Sequence, residues 1–399
     1  MKLKWILVAL CTLSFFSYHN ANSVDSIRYW VKVKAHNKFE RSVAADVGLA
    51  IEFSADDYVT GTANLQELRT LEKMGWVETS FPLTEALDFP AKDGDFHNYQ
   101  ELTDELGKLV MKYPRIVQMF SIGKSTEGRD IWGLRISGDL KQATTLPGII
   151  FMAGHHAREH LSVETPLRIF ISLLERYAQG DQRIVDLINS RDIHYIPAVN
   201  PDGLEYDVAG GKYRMWRKNR SRNADGTSGV DLKRNYSYQW GTGGSSKDTT
   251  SDIYMGPRPF SEPETQAIKA YVEANQNITT LLSFHTFSEL ILYPWGHSQS
   301  GIAIAKDREV HEKMARTMAQ WNGYKPQQSS ELYIASGDTT DWSYGEHKII
   351  SFTFELDPTN TMGGAGFYPG ASVIPGVVQK NTEPVLYLMQ HAGNPYEVL

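Results

Sequence analysis

The stretch that decides the fold is Pro147-Gly-Ile-Ile-Phe-Met152, followed after Ala153 by Gly154-His155-His156-Ala157-Arg158-Glu159-His160. The first six residues predict a β-strand, and the polar residues come where that strand ends. Open α/β sheets carry their sites at the carboxyl ends of the strands. This junction therefore indicates both the class of fold and the position of a site.

The spacing of His156 and Glu159 points to a metal ion. The two residues are three apart, so an imidazole nitrogen and a carboxylate on one turn could bind one Zn²⁺ at about 2.0–2.2 Å. Alone the spacing is a weak signal, because polar residues at a strand end are usually solvated. With His160 the segment also fits His-x-x-Glu-His, in which Glu159 would be a base and both histidines lie on one helix. We expect the next helix to begin only at Thr165-Pro166, which argues against that pattern.

Strands and helices alternate on both sides of this junction. Almost wholly apolar runs over Leu281–Phe284 and Ile350–Leu356 predict strands that are buried on both faces. The periodicity predicts a helix from Leu102 to Tyr113, and Ser261-Glu-Pro-Glu264 has the pattern of a capping box that opens a helix running to about Asn275. The main body is predicted to be an α/β domain.

Residues 24–92 are predicted to form a small separate α+β unit. Strand candidates lie at Arg28–Lys34, Ile51–Phe53 and Tyr58–Thr62, and Asn64 can cap a helix that Gly75 ends. A polar stretch from Pro90 to Asp95 follows and is typical of a linker. Lys92 in this linker is a plausible cleavage point.

Residues 1–23 have the features of a signal peptide. Lys2 and Lys4 precede an apolar run from Trp5 to Phe16, and small residues follow it. The run is shorter than the roughly 20 apolar residues that span a bilayer. The chain is therefore predicted to be exported, without a membrane contact once this segment is removed. Its one cysteine, Cys11, lies in the same segment, which excludes intramolecular disulfides.

The composition narrows the function classes. The chain has 399 residues, a formal net charge of −7, 41% hydrophobic residues and 22% charged residues. These values argue against a disordered chain and a polytopic membrane protein. Because nucleic acids are bound by basic surfaces, the mildly acidic balance also argues against a nucleic-acid partner.

Further polar motifs follow in a fixed order along the chain. They include Asn200-Pro-Asp-Gly203, Trp216-Arg217-Lys218, Ser283-Phe-His285, Tyr333-Ile-Ala-Ser-Gly337 and Phe352-Thr-Phe-Glu355-Leu356. Together with Gly154–Glu159 they resemble the zinc carboxypeptidases of the funnelin family over roughly residues 95–395. The resemblance implies a mixed twisted sheet flanked by helices, preceded by a small α+β pro-domain. It therefore divides the chain into a signal peptide (1–23), a pro-domain (24–92) and a catalytic domain (93–399).

The resemblance also implies a set of metal ligands. His156, Glu159 and His285 match the ligands of one Zn²⁺ per chain, and Asp231 matches a carboxylate that orients the ring of His156. Three protein ligands leave a fourth position for water, which is the arrangement of a catalytic zinc site. His285 could instead be a core histidine with satisfied hydrogen bonds.

Two residues match the family's catalytic groups. Glu355 corresponds to the general base that takes a proton from the attacking water and passes it to the leaving amine. Arg217 corresponds to the cation that stabilises the tetrahedral oxyanion. A structural ion pair remains an alternative for Glu355, and a solvated basic surface remains one for Arg217.

Other matching residues imply recognition of a free C-terminus. Arg234 supplies a planar bidentate partner for a carboxylate, Tyr333 resembles a tyrosine that closes over substrate, and Arg158 resembles a residue that contacts substrate one position upstream. Lys233 departs from the pattern, because the family usually has Asn there. Its ammonium group would strengthen carboxylate attraction or recognise a further acidic group, unless it faces solvent.

A side-chain pocket can be assigned to Leu292, Gly296, Asp338 and Thr340 by the same resemblance. Asp338 with Thr340 looks like the arrangement in bacterial carboxypeptidase T, whose pocket accepts apolar and basic side chains. A lone pocket Asp could instead be tied to backbone amides. The resemblance further implies cis peptide bonds at Thr286–Phe287, Pro294–Trp295 and Asp357–Pro358.

We therefore predict a secreted, zinc-dependent metallocarboxypeptidase that removes single apolar and basic residues from the C-termini of peptides or proteins. It would be made as a zymogen and activated by a protease. Two alternatives are a related peptidase that trims acidic tails or cell-wall peptides, for which Lys233 is the only hint, and a non-catalytic carboxylate-binding module. The module is disfavoured because the chain keeps the ligands, the base and the arginine.

Overall fold

A computed structural model describes residues 28–82, 93–209, 213–359 and 365–399. The predicted signal peptide and the predicted cleavage point at Lys92 lie outside these residues. Residues 28–82, called here the N-terminal unit, form one small sheet with two helices. The described residues from 93 onward, called the main domain, form an α/β structure around one large sheet.

The sheet of the N-terminal unit is antiparallel, with strand order β2-β3-β1-β4. Its strands are β1 (Tyr29–Lys34), β2 (Ala50–Ser54), β3 (Tyr58–Ala63) and β4 (Val77–Pro82). Its helices are α1 (Lys38–Val47) and α2 (Leu65–Lys73). The small α+β unit is as predicted, except that the sequence reasoning missed α1.

Both helices of this unit begin at an asparagine cap. Asn64 accepts hydrogen bonds from the amides of Gln66 and Glu67, and the Glu67 carboxylate accepts the Asn64 amide at 2.7 Å. This reciprocal pair is a capping box, which satisfies amides that have no partner inside the helix. Asn37 caps α1 in the same way through the amides of Phe39 and Glu40.

The sheet of the main domain has eight strands in the order β11-β10-β12-β9-β7-β8-β6-β5. Strands β12, β9, β7 and β8 are parallel neighbours, whereas β10, β6 and β5 add antiparallel pairs, so the sheet is mixed. The strands are β5 (Val117–Lys124), β6 (Asp130–Ile136), β7 (Gly148–Met152), β8 (Asp192–Ile196), β9 (Ile278–Thr286), β10 (Leu290–Tyr293), β11 (Lys325–Gln328) and β12 (Ile350–Leu356).

Helices cover both faces of this sheet. They are α3 (Tyr99–Lys112), α4 (His160–Ala178), α5 (Gln182–Asn189), α6 (Pro201–Val208), α7 (Pro263–Ala274), α8 (Ala305–Asn322), α9 (Thr339–His347) and α10 (Ile374–His391). One face packs against α3, α4, α5, α8 and α10, and the other against α7 and α9. Among the helices of the described residues, none combines the length and apolar composition needed to cross a membrane.

In strand β7, apolar residues do not alternate with polar ones, and the packing of the strand explains why. Ile149 and Phe151 pack into the core on one side of the sheet, whereas Ile150 and Met152 pack into the core on the other. Successive side chains of a strand point to opposite faces, and here both faces are covered. The strand predicted over residues 147–152 is confirmed as β7.

One predicted helix start is wrong. Helix α4 begins at His160 rather than at Thr165-Pro166, and Pro166 lies inside it. The first two turns are held by contacts with other segments, because His160 lies 2.9 Å from Asp207 and Glu164 lies 2.8 Å from His97. These contacts outweigh the preference of proline for the first helical position.

Helix α7 does begin near the predicted position, but without the predicted capping box. Its N-cap is Glu262, whose side chain makes no capping hydrogen bond. Glu264 instead accepts the amide of Thr126 at 2.9 Å and the side-chain amide of Asn219 at 3.0 Å. A distant loop therefore takes the carboxylate that the local pattern assigned to the cap.

Candidate metal centre and substrate cleft

Three parallel strands place the site at their carboxyl ends. His156 and Glu159 follow β7, His285 lies near the end of β9, and Glu355 lies near the end of β12. Glu355 and His285 are direct partners in the parallel register of β12 and β9. Because neighbouring parallel strands end at one edge of the sheet, residues far apart in sequence meet in one cleft.

The side chains of His156, Glu159 and His285 form a compact buried cluster. Glu159 Oε1 lies 2.6 Å from His156 Nδ1, and Glu159 Oε2 lies 2.8 Å from His285 Nδ1. The two Nδ1 atoms are 3.2 Å apart. One ligand atom from each residue lies within 4.8 Å of the others, so a single cation can contact all three.

The hydrogen bonding of His156 supports a metal rather than a simple polar cluster. Its Nε2 lies 3.1 Å from Asp231 Oδ1. A carboxylate only accepts hydrogen bonds, so in the neutral ring Nε2 carries the proton and Nδ1 presents a lone pair. This lone pair faces the Glu159 carboxylate. A cation bound between His156 Nδ1 and Glu159 Oε1 would be attracted to both atoms.

The environment of His285 fits the same interpretation. Burial, followed by the positive charge of Lys233, holds the pKa of His285 well below its ordinary value. The ring is therefore neutral, as an imidazole that ligates a metal must be. Two imidazole nitrogens and one carboxylate form the donor set of a catalytic zinc site, so these residues fit Zn²⁺.

Asp231 joins the ligand cluster to Arg217. Its Oδ1 is directed at His156, and its Oδ2 accepts hydrogen bonds from Arg217 at 3.1 Å. Burial alone would raise the pKa of Asp231, but the charges of Arg217 and His156 lower it well below its ordinary value. An ionised Asp231 thus holds both the ring and the guanidinium in position.

The guanidinium groups of Arg158 and Arg217 share one carboxylate. Arg158 Nη2 donates a very short hydrogen bond to Glu52 Oε1, and Arg217 Nη1 donates to the same atom at 3.3 Å. Glu52 lies in β2 of the N-terminal unit, 106 residues before Arg158. Arg158 also donates to Asp252 at 3.2 Å, and its side chain is fully buried.

Glu52 is a residue that sequence reasoning missed. It stands inside a predicted strand of a different unit, and no motif surrounds it. Asp252 was missed for the same reason, although it binds Arg28 of the N-terminal unit at 2.7 Å as well as Arg158. Only a contact between distant parts of the chain distinguishes these two carboxylates from other acidic residues.

Arg234 differs from the other cleft arginines in its partners. It donates to the carbonyl oxygens of Gly244 at 2.8 Å and Lys233 at 3.3 Å, and to the Tyr333 hydroxyl at 3.4 Å. All three partners are uncharged. Within the described residues, no carboxylate forms an ion pair with Arg234, so its charge remains available to a ligand.

Lys233 points into the cleft rather than into solvent. Its Nζ lies 3.7 Å from Asp338 Oδ2 and 3.8 Å from Glu355 Oε1, and its side chain is 9% exposed. The possibility that Lys233 faces solvent is therefore wrong. Its ammonium group lies between the predicted base and the predicted pocket carboxylate.

Asp338 and Thr340 lie at the start of α9. Asp338 is the N-cap, and its Oδ1 accepts the Thr340 amide at 2.7 Å and the Thr340 hydroxyl at 2.5 Å. Leu292 is buried in a small cluster with Leu290 and Leu332. One oxygen of Asp338 is thus tied to the helix start, which leaves the other directed at Lys233.

The surroundings of Glu355 perturb its acidity. Burial raises the pKa of Glu355 to about 8, the Lys233 charge opposes this, and the carboxylates of Glu159 and Glu52 raise it further. A carboxyl group whose pKa lies near neutrality is typical of a general acid–base residue. A bound divalent cation would add to the effect of Lys233 and favour the ionised form.

The three cis peptide bonds implied by the resemblance are present, at Thr286–Phe287, Pro294–Trp295 and Asp357–Pro358.

Comparisons with known proteins agree with the resemblance to zinc carboxypeptidases. The zinc carboxypeptidase (Peptidase_M14) family matches residues 102–384. A zinc carboxypeptidase of Saccharothrix mutabilis subsp. capreolus is 39% identical over 330 residues, which are 81% of this chain and 75% of that protein.

Two further similarities extend this result. Carboxypeptidase A1 of Sus scrofa is 33% identical over 307 residues, which are 75% of this chain and 71% of that protein. The solved carboxypeptidase A of Helicoverpa armigera has a TM-score of 0.77 at 24% identity, covers 93% of this chain and 98% of its own, and shows the shared fold. The chain therefore belongs to the zinc carboxypeptidase family and is a metallocarboxypeptidase, a Zn²⁺-dependent hydrolase that removes residues from the C-termini of peptides.

Proposed function

We propose that this metallocarboxypeptidase is a secreted zymogen whose cleft releases single C-terminal residues, with Glu355 as general base and Arg217 as oxyanion-binding cation. The observation that carries the proposal is the convergence of His156 Nδ1, His285 Nδ1 and the Glu159 carboxylate. When bound by these three residues, Zn²⁺ would acidify a water ligand and polarise the scissile carbonyl.

Glu355 is suited to move the proton. Its strand pairs it with the ligand His285, so its carboxylate lies beside the metal position. We propose that Glu355 takes the proton of the attacking water and delivers it to the leaving amine, which a carboxyl group with a pKa near neutrality can do in both directions. The nearby Lys233 ammonium, 3.8 Å away, favours the charged form that accepts the proton.

Arg217 is suited to stabilise the charge that develops on the carbonyl oxygen. It is 3% exposed, and a fixed cation in a desolvated site stabilises an oxyanion more than water does. Asp231 holds the guanidinium through Nε and Nη2. The remaining Nη1 atom donates a hydrogen bond to Glu52 Oε1 at 3.3 Å in the intact chain.

Arg234 and Tyr333 are proposed to bind the terminal carboxylate of the substrate. The guanidinium of Arg234 has no acidic partner among the described residues and offers a planar fork. The Tyr333 hydroxyl accepts a hydrogen bond from Arg234, and its ring packs against both the N-terminal unit and the cluster of Leu290, Leu292 and Leu332. Substrate binding would replace these uncharged partners of Arg234 by a carboxylate.

The preference for side chains remains a prediction. The apolar part of it is supported by the burial of Leu292 beside Leu290 and Leu332. The basic part depends on Asp338, whose oxygens are directed at Thr340 and Lys233.

The N-terminal unit is proposed to inhibit the enzyme until it is removed. Glu52 binds the two arginines, Arg158 and Arg217, that the resemblance assigns to substrate and to the oxyanion. A substrate would have to displace a buried carboxylate from two cations, and breaking such a pair costs several kcal/mol. We infer that the intact chain binds peptides weakly.

Several peripheral contacts hold the unit over the cleft. Arg41 donates to the carbonyl oxygens of Glu331 and Leu332, and Asp46 accepts the amide of Gly244. Glu331 and Leu332 directly precede Tyr333, and the carbonyl oxygen of Gly244 accepts a hydrogen bond from Arg234. The N-terminal unit thus fixes the loops on which substrate recognition would depend.

The proposed boundary after residue 92 has support on its C-terminal side. Asp93 accepts the amide of Ala371 at 3.0 Å and the hydroxyl of Tyr213 at 3.4 Å. The first described residue after the linker is therefore anchored to the main domain. Cleavage before Asp93 by an activating protease would separate the N-terminal unit and leave this anchor in place.

The test uses peptides that differ only in a C-terminal Phe, Leu, Lys, Arg or Glu. We expect the zinc-loaded full chain to release free C-terminal residues after limited digestion with trypsin, and a chelator to abolish the release. Activity that survives complete zinc removal would contradict the assignment of the metal centre. Release of internal fragments instead of single residues would contradict the exopeptidase proposal.

The zymogen part has its own test. In the uncleaved chain, Glu52→Gln should raise activity toward the activity of the cleaved enzyme, because the neutral amide binds two arginines less strongly. The matched control is Glu78→Gln, which removes an exposed ion pair with Lys32 in the same unit and should leave the intact chain inhibited. Equal activity of the intact and cleaved wild-type chains would refute inhibition by the N-terminal unit.

A further inference from the structure

Two adjacent cations, Lys233 and Arg234, have opposite surroundings. The contacts of Arg234 are with uncharged oxygens. Those of Lys233 are with two carboxylates, Asp338 at 3.7 Å and Glu355 at 3.8 Å. Arg234 is therefore available to a terminal carboxylate, whereas the charge of Lys233 is already balanced inside the protein.

The position of the Lys233 ammonium group changes the electrostatics of the side-chain pocket (Leu292, Gly296, Asp338 and Thr340). Asp338 Oδ1 accepts the amide and hydroxyl of Thr340, and Asp338 Oδ2 faces Lys233. Both oxygens are therefore engaged before any substrate enters. The side chains of Lys233 and Asp338 are each 9% exposed, so solvent screens their attraction little.

The consequence for a substrate follows from the signs of the charges. A Lys or Arg side chain that enters the pocket would meet Asp338 together with a second cation a few ångströms away. Its attraction to Asp338 would be offset by repulsion from Lys233, and it would also lose its own hydration. An apolar side chain meets a locally neutral pair and the buried face of Leu292, without this conflict.

We propose that Lys233 is a specificity-determining residue that cancels the charge of Asp338, so that the enzyme prefers apolar over basic C-terminal residues. This inference rests on the proposed function, because it assumes that Asp338 and Thr340 line the pocket for the released side chain. It assigns Lys233 a role distinct from that of Arg234. Lys233 sets the pocket charge, and Arg234 binds the terminus.

The direct test compares wild type with Lys233→Asn, which places an uncharged amide beside Asp338. The readout is the ratio of kcat/KM for a peptide ending in Lys to that for the same peptide ending in Phe. In the cleaved, zinc-loaded chain, we expect the wild-type ratio to be below about 0.1 and the Lys233→Asn ratio to be at least about tenfold higher. The control is Lys247→Asn at an exposed lysine, which should leave the ratio unchanged.

A double-mutant cycle isolates the interaction between the two residues. Asp338→Asn should leave an excess positive charge in the pocket and raise the ratio for Glu relative to Phe peptides. The double variant Lys233→Asn/Asp338→Asn removes both charges and should again prefer Phe over both Lys and Glu. Lys233→Met repeats the test with a side chain of similar length in case the Asn variant folds poorly.

A binding measurement provides a readout that does not depend on turnover. Cleaved, metal-free wild-type and Lys233→Asn proteins are titrated with the same Lys-ending and Phe-ending peptides by calorimetry. We expect Lys233→Asn to tighten the binding of the Lys peptide relative to the Phe peptide by at least about tenfold. This shift would be absent if Lys233 acted only on the catalytic step through Glu355.

The outcomes separate this inference from the proposed function. If wild type releases Phe but the Lys-to-Phe ratio is the same in wild type and Lys233→Asn, Lys233 does not set the specificity. If wild type already releases Lys as fast as Phe, the charge cancellation is refuted directly. If no peptide loses a C-terminal residue, the proposed function fails and this inference fails with it.

Discussion

The two ends of the cleft differ in how tightly their charged groups are held. At the metal end, His156, Glu159 and His285 approach one another to 2.6–3.2 Å, and Asp231 fixes the outer nitrogen of His156. At the pocket end, the Lys233 ammonium lies 3.7–3.8 Å from its two carboxylates. The metal end is held by short, directional contacts, whereas the pocket end is held by longer attractions between opposite charges.

This difference corresponds to two kinds of chemistry. A metal site needs lone pairs that converge on one point, so a small displacement of a ligand loses the ion. A side-chain pocket needs only a suitable shape and net charge, so a change in one charged residue alters preference without removing activity. We therefore expect large effects from substitutions at the metal end and small, substrate-dependent effects at the pocket end.

The largest effect is expected for His285→Ala. Removing one of three ligands should lower the zinc content from about one ion per chain toward zero and abolish peptide hydrolysis. Metal analysis of the purified protein and a peptide assay check both results. The control is His391→Ala, which should keep its zinc. His391 is the last residue of α10 and pairs with Glu397. Full zinc content in His285→Ala would remove His285 from the ligand set.

Glu355→Gln is expected to have the next largest effect. The amide cannot accept and return a proton, so kcat should fall by about 10²–10⁴-fold, the usual contribution of a general base. Zinc content should stay near wild type, because Glu355 is not in the ligand cluster. Glu383→Gln, in an exposed ion pair with Arg183, should keep normal turnover. Near-normal turnover of Glu355→Gln would assign the base to another residue.

Asp231→Asn should act on the metal affinity rather than directly on the chemistry. The amide removes the negative charge that orients His156 Nε2 and Arg217. Loss of such a partner typically weakens metal binding about 10–100-fold, which a competition titration against a zinc chelator measures. Unchanged zinc affinity would show that the position of His156 is set by its neighbours in the chain.

The smallest effect is expected for Tyr333→Phe at the pocket end. This change removes only the hydroxyl, which is 3.4 Å from Arg234, and an uncharged hydrogen bond contributes about 0.5–1.5 kcal/mol. KM should rise by roughly 2- to 12-fold on that basis, with kcat changing less. Steady-state kinetics on one peptide give both values. A fall in kcat larger than the rise in KM would assign Tyr333 to the chemical step.

Local sequence features predicted many of the strands and helices of the fold. The apolar runs 281–284 and 350–356 predicted buried strands because an almost wholly apolar stretch of that length is buried on both faces of a sheet. Asn64 predicted a helix start because its side chain caps amides only a few residues away. The motifs around His156, His285 and Glu355 likewise identified the residues that the structure brings together. Each of these features acts within one element or is carried by a motif that can be read directly.

The errors arose where a distant segment competes with a local pattern. Pro166 has the local character of a first helical residue, but contacts of His160 and Glu164 with other segments start α4 earlier. Glu264 has the spacing of a capping box, but it is taken by Thr126 and Asn219. Local propensity is worth little free energy against buried polar contacts.

The residues alone thus determined the identity of the strands, the candidate ligands and the family. The tertiary structure decided which charges meet. It brought Glu52 onto Arg158 and Arg217, and it placed Lys233 between Asp338 and Glu355. Hydrophobic periodicity and motifs are properties of neighbouring residues, whereas electrostatic pairing depends on distances through space and on burial, which exist only once the chain has folded.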